Sequence, residues 1–447
     1  MGKRKRFVLL GLAGLLALAS CGSESNDEVI RESLEDAALQ KAGYVIPDTK
    51  YGQETDNFIN STAKLNDFSG RLTESILDNY ANADTENVAI SPLSIYMALA
   101  MTQAITTGDT KSEILEALDM TDDEVSGYTR SVYNYSNNTK YNDDNELVLK
   151  ELLTNSIWLD NNLDYKSQAL GKLANYYGAN SYSVDFDGNN KNANKIIRQY
   201  VKDNTEDLID KDFGLGKETA FALINTLYFK DAWHLDLTTL EESKYTYLFT
   251  NSDGSQTNEK LLLANYIGGL AVDKDTYRSF FTSTEGNYRI SFVVPKEGYD
   301  INDIFTADTI SYVSSKEFRN EAYSSSIGDH VYNYTRCVFP EFEASFSTTI
   351  NEAIKALGIE SAFKNVNDFT PITDRAACVG DIYHATSFEA KKDGMEGAAS
   401  TVIGASTTAY GDVWTNAYYD FVVNKSFGFA VVDKNDVPVF TGIVNNI

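Results

Sequence analysis

The chain has 447 residues and sets 38 Lys+Arg against 65 Asp+Glu, a formal net charge of −27. A hydrophobic share of 43% belongs to a folded protein, and so acidic a surface repels phosphate backbones, so nucleic acid is not an expected partner. Three cysteines and three histidines exclude a disulfide scaffold and argue against a histidine-rich metal centre; no metal and no cofactor are expected.

Lys3, Arg4, Lys5 and Arg6 precede an apolar run from Phe7 to Leu18. The run is shorter than the ~20 residues a helix needs to cross a bilayer, and it fits a secretory signal. It ends in Leu18-Ala19-Ser20-Cys21, which resembles the bacterial lipobox. That resemblance implies a lipoprotein signal over residues 1–20 and lipidation of Cys21, which would attach the chain to a membrane. Residue 22 is Gly rather than the Asp that retains lipoproteins at the inner membrane, so the expected site is the outer membrane, facing the cell surface or the medium. Residues 21–58 are polar and acidic at their start (Glu24, Asp27, Glu28) and read as a flexible tether, leaving 59–447 as one folded domain.

Helical spacing appears in Leu72, Ile76, Leu77 and Tyr80, then in Ile95 to Met101, and again in Ile114, Leu115 and Leu118. Strand-like runs follow at Phe221–Phe229, Ile290–Val294 and Val437–Val444. Helices first and strands later predict an α+β fold with a large mixed sheet. No G-x-S-x-G, H-E-x-x-H or G-x-x-x-x-G-K-[ST] motif occurs, and Gly214-Leu-Gly-Lys217 lacks the spacing of a phosphate loop. His234, His330 and His384 lie far apart with no carboxylate pattern around them, so they are read as structural and the chain as a non-enzyme.

Four blocks carry a resemblance: Asn87-Val-Ala-Ile-Ser91-Pro92-Leu93-Ser94-Ile95; Leu223-Ile-Asn225-Thr-Leu-Tyr-Phe-Lys230-Asp-Ala-Trp233; Phe339-Pro340-Glu341-Phe342 with Leu357-Gly358-Ile359; and Phe421-Val-Val-Asn-Lys-Ser-Phe427 with Phe440-Thr-Gly442-Ile-Val-Asn445. In that order and spacing they resemble the serpins. The resemblance implies helices around a large central mixed sheet, further sheets and an exposed reactive-centre loop. It also implies a mechanism: a serine protease cuts the loop and is trapped as a covalent acyl-enzyme when the loop inserts into the sheet.

Such a loop must be mobile and its hinge must fit between strands. Gly394, Met395, Glu396, Gly397, Ala398, Ala399, Ser400 and Thr401 meet both demands, since glycine frees the backbone and the rest are mostly small. Counting in twos, the inward set would be Met395, Gly397, Ala399 and Thr401, with Glu396 pointing to solvent. Met395 stands where inhibitory serpins carry Thr or Ser, and overpacking there would cost ~1–3 kcal/mol. Inserting about a dozen residues gains hydrogen bonds at ~0.5–1.5 kcal/mol each, so insertion should still win. Counting from Gly394 as serpins do puts the reactive bond at Thr408–Ala409, within a window of 405–412, and small residues there suit elastase-like or subtilisin-like enzymes. A cut at Tyr410–Gly411 would suit a chymotrypsin-like target, and loop trapping also captures cysteine proteases. No Arg or Lys lies between Gly394 and Asn424, which disfavours a trypsin-like one. The alternative is a non-inhibitory serpin serving as a binding or decoy protein.

By the same resemblance, Ser91, Ser94, Asn225 and His384 form a polar shutter beneath the sheet, and Trp233 sits at the breach where the loop enters. Glu341 and Lys392 exchange the signs of a serpin salt bridge and are expected to pair, at ~0–1 kcal/mol if exposed. Cys337 and Cys378 are expected as free thiols. Arg130 and Lys140 are outnumbered by Asp122, Asp123, Glu124, Asp143, Asp144 and Glu146, so no glycosaminoglycan is expected. The expected partner is the target protease, bound by a monomer.

Overall fold

The computed structural model describes residues 33–447 apart from 81, 143–144, 235–236, 240–246, 259–260, 268–269, 324–325, 328–329, 332–333 and 397–417. Seven strands set out the central sheet: β1 (Ala38–Gln40), β2 (Leu147–Asp160), β3 (Ala179–Val184), β4 (Phe221–Ala232), β5 (Phe342–Thr349), β6 (Tyr383–Lys391) and β7 (Gly394–Glu396). Their order across the sheet is β1-β3-β2-β4-β7-β6-β5, with Asn138–Tyr141 also pairing β2. The sheet is mixed: β2 runs parallel to β3 and antiparallel to β4, and β7 runs antiparallel to both of its neighbours. A six-stranded sheet contains the fully buried strands Arg289–Pro295, Phe427–Val432 and Pro438–Val444, whose continuous burial fits a strand covered on both faces. A four-stranded sheet places Tyr418–Val422 parallel to Tyr334–Pro340.

Helix α1 (Asp56–Asn79) starts where the Thr55 hydroxyl accepts the Phe58 N–H, and it buries Phe58, Leu65, Phe68, Leu72 and Ile76 along one face. Helix α2 (Pro92–Ala104) has proline in its first turn and is capped by Ser91. Its side chains are buried on nearly every side, because it runs through the core behind the sheet and contacts β4.

The expected strands at Phe221–Phe229 and Ile290–Val294 lie within observed strands, and the one expected at Val437–Val444 is observed as Pro438–Val444. The helices-then-strands order does not hold, since the 14-residue β2 lies in the first half of the chain. The described part of the expected tether is also different. From residue 33 it packs on the body: β1 adds to the sheet edge beside β3, and Val45, Tyr51 and Phe58 are buried. Arg130 holds the Ile46 carbonyl through Nε at 2.8 Å and pairs with Asp48 at 3.5 Å. The segment's apolar residues are spaced too irregularly to give a periodic signal; Val45 and Tyr51 enter the core, whereas Tyr44 and Ile46 stay exposed.

Candidate functional site

On its β2 side, β4 is paired along its length, from Leu149↔Asp231 to Leu159↔Phe221. On its other side the described pairing covers only Gly394↔Ala232, Met395↔Asp231 and Glu396↔Lys230. Among the described residues no strand pairs with this edge from Phe221 to Phe229, and Phe221–Asn225 are all half-buried. The sheet thus has a cleft between β4 and β6, with three residues of the hinge seated at one end.

Each of those three residues fits for its own reason. Gly394 passes so close to β4 that a Cβ there would lie 2.4 Å from the Asp231 carbonyl oxygen, so only glycine is accommodated. Met395 is fully buried in the apolar cluster that includes Trp233, Phe339, Phe342 and Phe388. Its inward direction agrees with the alternation, and its burial shows a pocket able to take the thioether. Glu396 takes the opposite face but does not point to solvent. It is 8% exposed, with Lys230 Nζ donating at 2.9 Å and the Tyr228 hydroxyl at 3.3 Å. Burial pushes its carboxyl above the usual range, and Lys230 works against that shift.

Beneath the cleft, the first turn of α2 reaches both sides. The Ser91 N–H donates to His384 Nε2 on β6 at 3.1 Å, while the Ser91 hydroxyl donates to the Val439 carbonyl at 2.9 Å and accepts the Ser94 N–H at 3.3 Å. The Ser94 hydroxyl donates to Asn225 Oδ1 on β4. Asn225 then donates to Asn155 Oδ1 at 2.8 Å, and Asn155 donates to the Tyr177 carbonyl at 2.6 Å. An accepting Nε2 puts the imidazole proton on Nδ1. Burial draws the His384 pKa down to about 4, so the ring is neutral at pH 7. Ser91, Ser94, Asn225 and His384 are therefore brought together as one network, which also recruits Asn155 and Thr386. The Thr386 hydroxyl donates to the Ala89 carbonyl at 2.7 Å.

Trp233 closes the entry end. Its indole N–H donates to the Lys391 carbonyl at 2.7 Å, and its ring stands edge-on to Phe339 with centroids 6.0 Å apart. Glu341 and Lys392 do meet, but the described contact is the Lys392 backbone N–H donating to the Glu341 carboxylate at 2.6 Å. A backbone donor at the β6–β7 turn has a fixed direction, which a long ammonium side chain lacks. Lys391 bridges Glu389 at 2.5 Å and Glu343 at 3.1 Å.

Behind the Met395 end lies a buried acidic group. Asp231, held up to about 7 by burial, accepts from the Thr284 hydroxyl and from the Gly286 N–H at 3.0 Å. Glu151, also pushed up by burial, accepts from Tyr288, and Asp433 is pushed up to about 6 for the same reason. None of these carboxyls stood out among the many acidic residues of the sequence. The pairing of Lys230 with Glu396 was also missed, although strand alternation puts both on one face once the register is known.

Cys337 is buried and Cys378 exposed, both as free thiols. Among the described residues no cluster of three or more His, Cys, Asp or Glu suits a metal ion, and no helix is long and apolar enough to cross a membrane. Cys21, the hinge residues Gly397, Ala398, Ala399, Ser400 and Thr401, and the expected reactive bond Thr408–Ala409 lie outside the described residues.

Residues 63–447 match the family described as serpin (serine protease inhibitor). The chain is 26% identical to serine proteinase inhibitor A3K of Cavia porcellus, over 81% of this chain and 84% of that protein. It is 25% identical to alpha-1-antiproteinase of Rattus norvegicus, over 80% and 84%. An uncharacterized serpin-like protein of Methanosarcina mazei is 22% identical over 96% and 95%. Among solved structures, the native state of the thermophilic serpin tengpin superposes with a TM-score of 0.71 at 23% identity, covering 92% of this chain and 99% of that one. A sheet cleft with a hinge at its mouth, a polar network beneath it and a family match over residues 63–447 make this chain a member of the serpin family of serine protease inhibitors.

Proposed function

We propose that the protein is a lipid-anchored suicide inhibitor of elastase-like or subtilisin-like serine proteases, cut near Thr408–Ala409 and held at the outer membrane through Cys21. In this reading the protease serine oxygen attacks the Thr408 carbonyl, the amine of Ala409 leaves with a proton, and an ester joins the two proteins. Insertion of the freed strand then outruns hydrolysis of that ester.

The observation that carries the reading is the register of β7. Antiparallel pairing is described from Gly394↔Ala232 to Glu396↔Lys230 on β4 and from Lys391↔Gly394 to Glu389↔Glu396 on β6; a strand that kept this register on insertion would bring Thr401 opposite both Asn225 and His384. The inward set Met395, Gly397, Ala399 and Thr401 contains no charge and only one large side chain. A strand entering the cleft therefore meets the α2 network with a small hydroxyl residue, where Ser91 and Ser94 tie the two sides together.

The test mixes the chain from residue 21, carrying Cys21→Ser, with pancreatic elastase and runs a denaturing gel. A band at the summed mass that survives boiling supports the trap, and mass spectrometry of the released C-terminal peptide fixes the cut. Cleavage without such a band, with elastase still active, would favour a non-inhibitory serpin. For the anchor, radiolabelled fatty acid should enter the full-length chain in a bacterial host and not its Cys21→Ser variant.

A further inference from the structure

One rung of the central sheet carries a charged residue on each of five adjacent strands. The register places Lys150 of β2 opposite Lys230 of β4, Lys230 opposite Glu396 of β7, Glu396 opposite Glu389 of β6, and Glu389 opposite Glu343 of β5. Like charges directly opposed across strands repel. The rung relieves this with carboxylates and an ammonium from neighbouring positions. Lys150 takes Glu206, beyond the end of the Phe186–Asn204 helix, and Lys391 bridges Glu389 and Glu343. Lys230 takes Glu396, with the two side chains only 14% and 10% exposed, and Tyr228 adds a hydroxyl donor.

We propose that Glu396 is the positioning residue that sets the register of loop insertion, an assignment that rests on the loop-insertion reading above. A slip by one residue would turn every inserted side chain to the other face. A slip by two would put Gly394 or Ala398 opposite Lys230, leaving a largely buried ammonium facing Lys150 without this carboxylate. Only the observed register pairs the charges and seats Met395 in its pocket, and only that register, carried forward on insertion, would bring Thr401 to Asn225 and His384. The clamp is formed before cleavage, and the same contacts fit the inserted strand. It therefore acts as the starting rung of the zipper.

The test compares Glu396→Gln, Lys230→Met and the exchanged pair Lys230→Glu with Glu396→Lys, using two readouts on the intact protein. Hydrogen exchange at amides 394–396 should quicken about tenfold in each single variant and return close to the parent rate in the exchanged pair. The number of inhibitor molecules consumed per elastase trapped should rise about threefold in the single variants and recover in the exchanged pair, with the association rate little changed. Exchange at 394–396 that is unaltered in both single variants, or an exchanged pair as fast as Glu396→Gln, overturns the assignment. Exchange needs no protease. A parent that traps nothing while exchange responds as stated would sink the inhibitory reading and leave the register assignment standing.

Discussion

Along one edge, β4 is bonded to β2 from Leu149↔Asp231 to Leu159↔Phe221; along the other, its described pairing ends at Glu396↔Lys230. The two edges belong to one strand, with one backbone, so propensity cannot account for the difference. What differs is the neighbour. β2 buries Leu149, Leu153, Ile157 and Trp158, whereas the open edge is paired by β7 only as far as Glu396, and in the proposed function the continuation of β7 fills the rest. An unfilled edge represents hydrogen bonds not yet made, at about 0.5–1.5 kcal/mol each, and that is the reserve a loop trap would draw on.

The largest effect should come from a charge placed on the inward face of the entering strand. Thr401→Arg would drive a guanidinium between Asn225 and His384, and an unpaired buried charge costs several kcal/mol. Elastase should then cleave the chain at the parent rate and remain active, with no covalent band on a denaturing gel.

A second test uses pH, because the two sides of the cleft titrate in opposite senses. The native His384 pKa of about 4 lies below its ordinary 6.5. Between those values the unfolded chain binds a proton that the native ring refuses, so this group costs stability as pH falls, by up to about 3 kcal/mol. The native Asp231 pKa of about 7 lies above its ordinary 3.8. Over that span the native carboxyl keeps a proton the unfolded chain releases, so its contribution grows as pH falls; Asp433, raised to about 6, acts in the same direction. Asp231→Asn should therefore leave more of the His384 loss unopposed, giving a steeper fall in Tm between about pH 7 and pH 5 than in the parent. His384→Asn should flatten or reverse that slope, as read from thermal melts across the range.

Smaller effects sharpen the picture of the network that spans the cleft. Asn225→Ala removes the acceptor of the Ser94 hydroxyl and the donor to Asn155, and should cost about 1–3 kcal/mol in denaturant unfolding. Glu341→Ala removes the acceptor for the Lys392 N–H. Its expected cost is about 0.5–1.5 kcal/mol, seen as faster exchange of that one amide.

The sequence was most legible where pattern and burial coincide. The apolar run of Phe221–Phe229 marked β4, and spacing at Leu72 and Ile76 marked α1. β2 was missed because Lys150-Glu151 and Thr154-Asn155-Ser156 interrupt its apolar residues, yet Glu151, Asn155 and Ser156 are buried and their polarity is satisfied within the fold. Residues 21–58 look like a tether in the sequence because their apolar residues, Val45 and Tyr51 among them, form no period. The shutter residues became visible only through the four serpin-like blocks. Glu396 was placed on the correct face and given the wrong surroundings, since alternation gives direction but says nothing of what stands on the next strand. Likewise, opposite charges at 341 and 392 suggested a side-chain pair, whereas the described bond uses the backbone N–H of Lys392.

The most direct test of the account is to cut the loop within 405–412 with a protease selective for small residues, then follow the purified product by hydrogen exchange and thermal melting. Insertion should protect the Phe221–Phe229 amides on the open side of β4 and raise the Tm sharply above that of the uncut protein. A cut protein with unchanged exchange along β4 and an unchanged Tm would contradict the claim that this edge is held open to receive the loop.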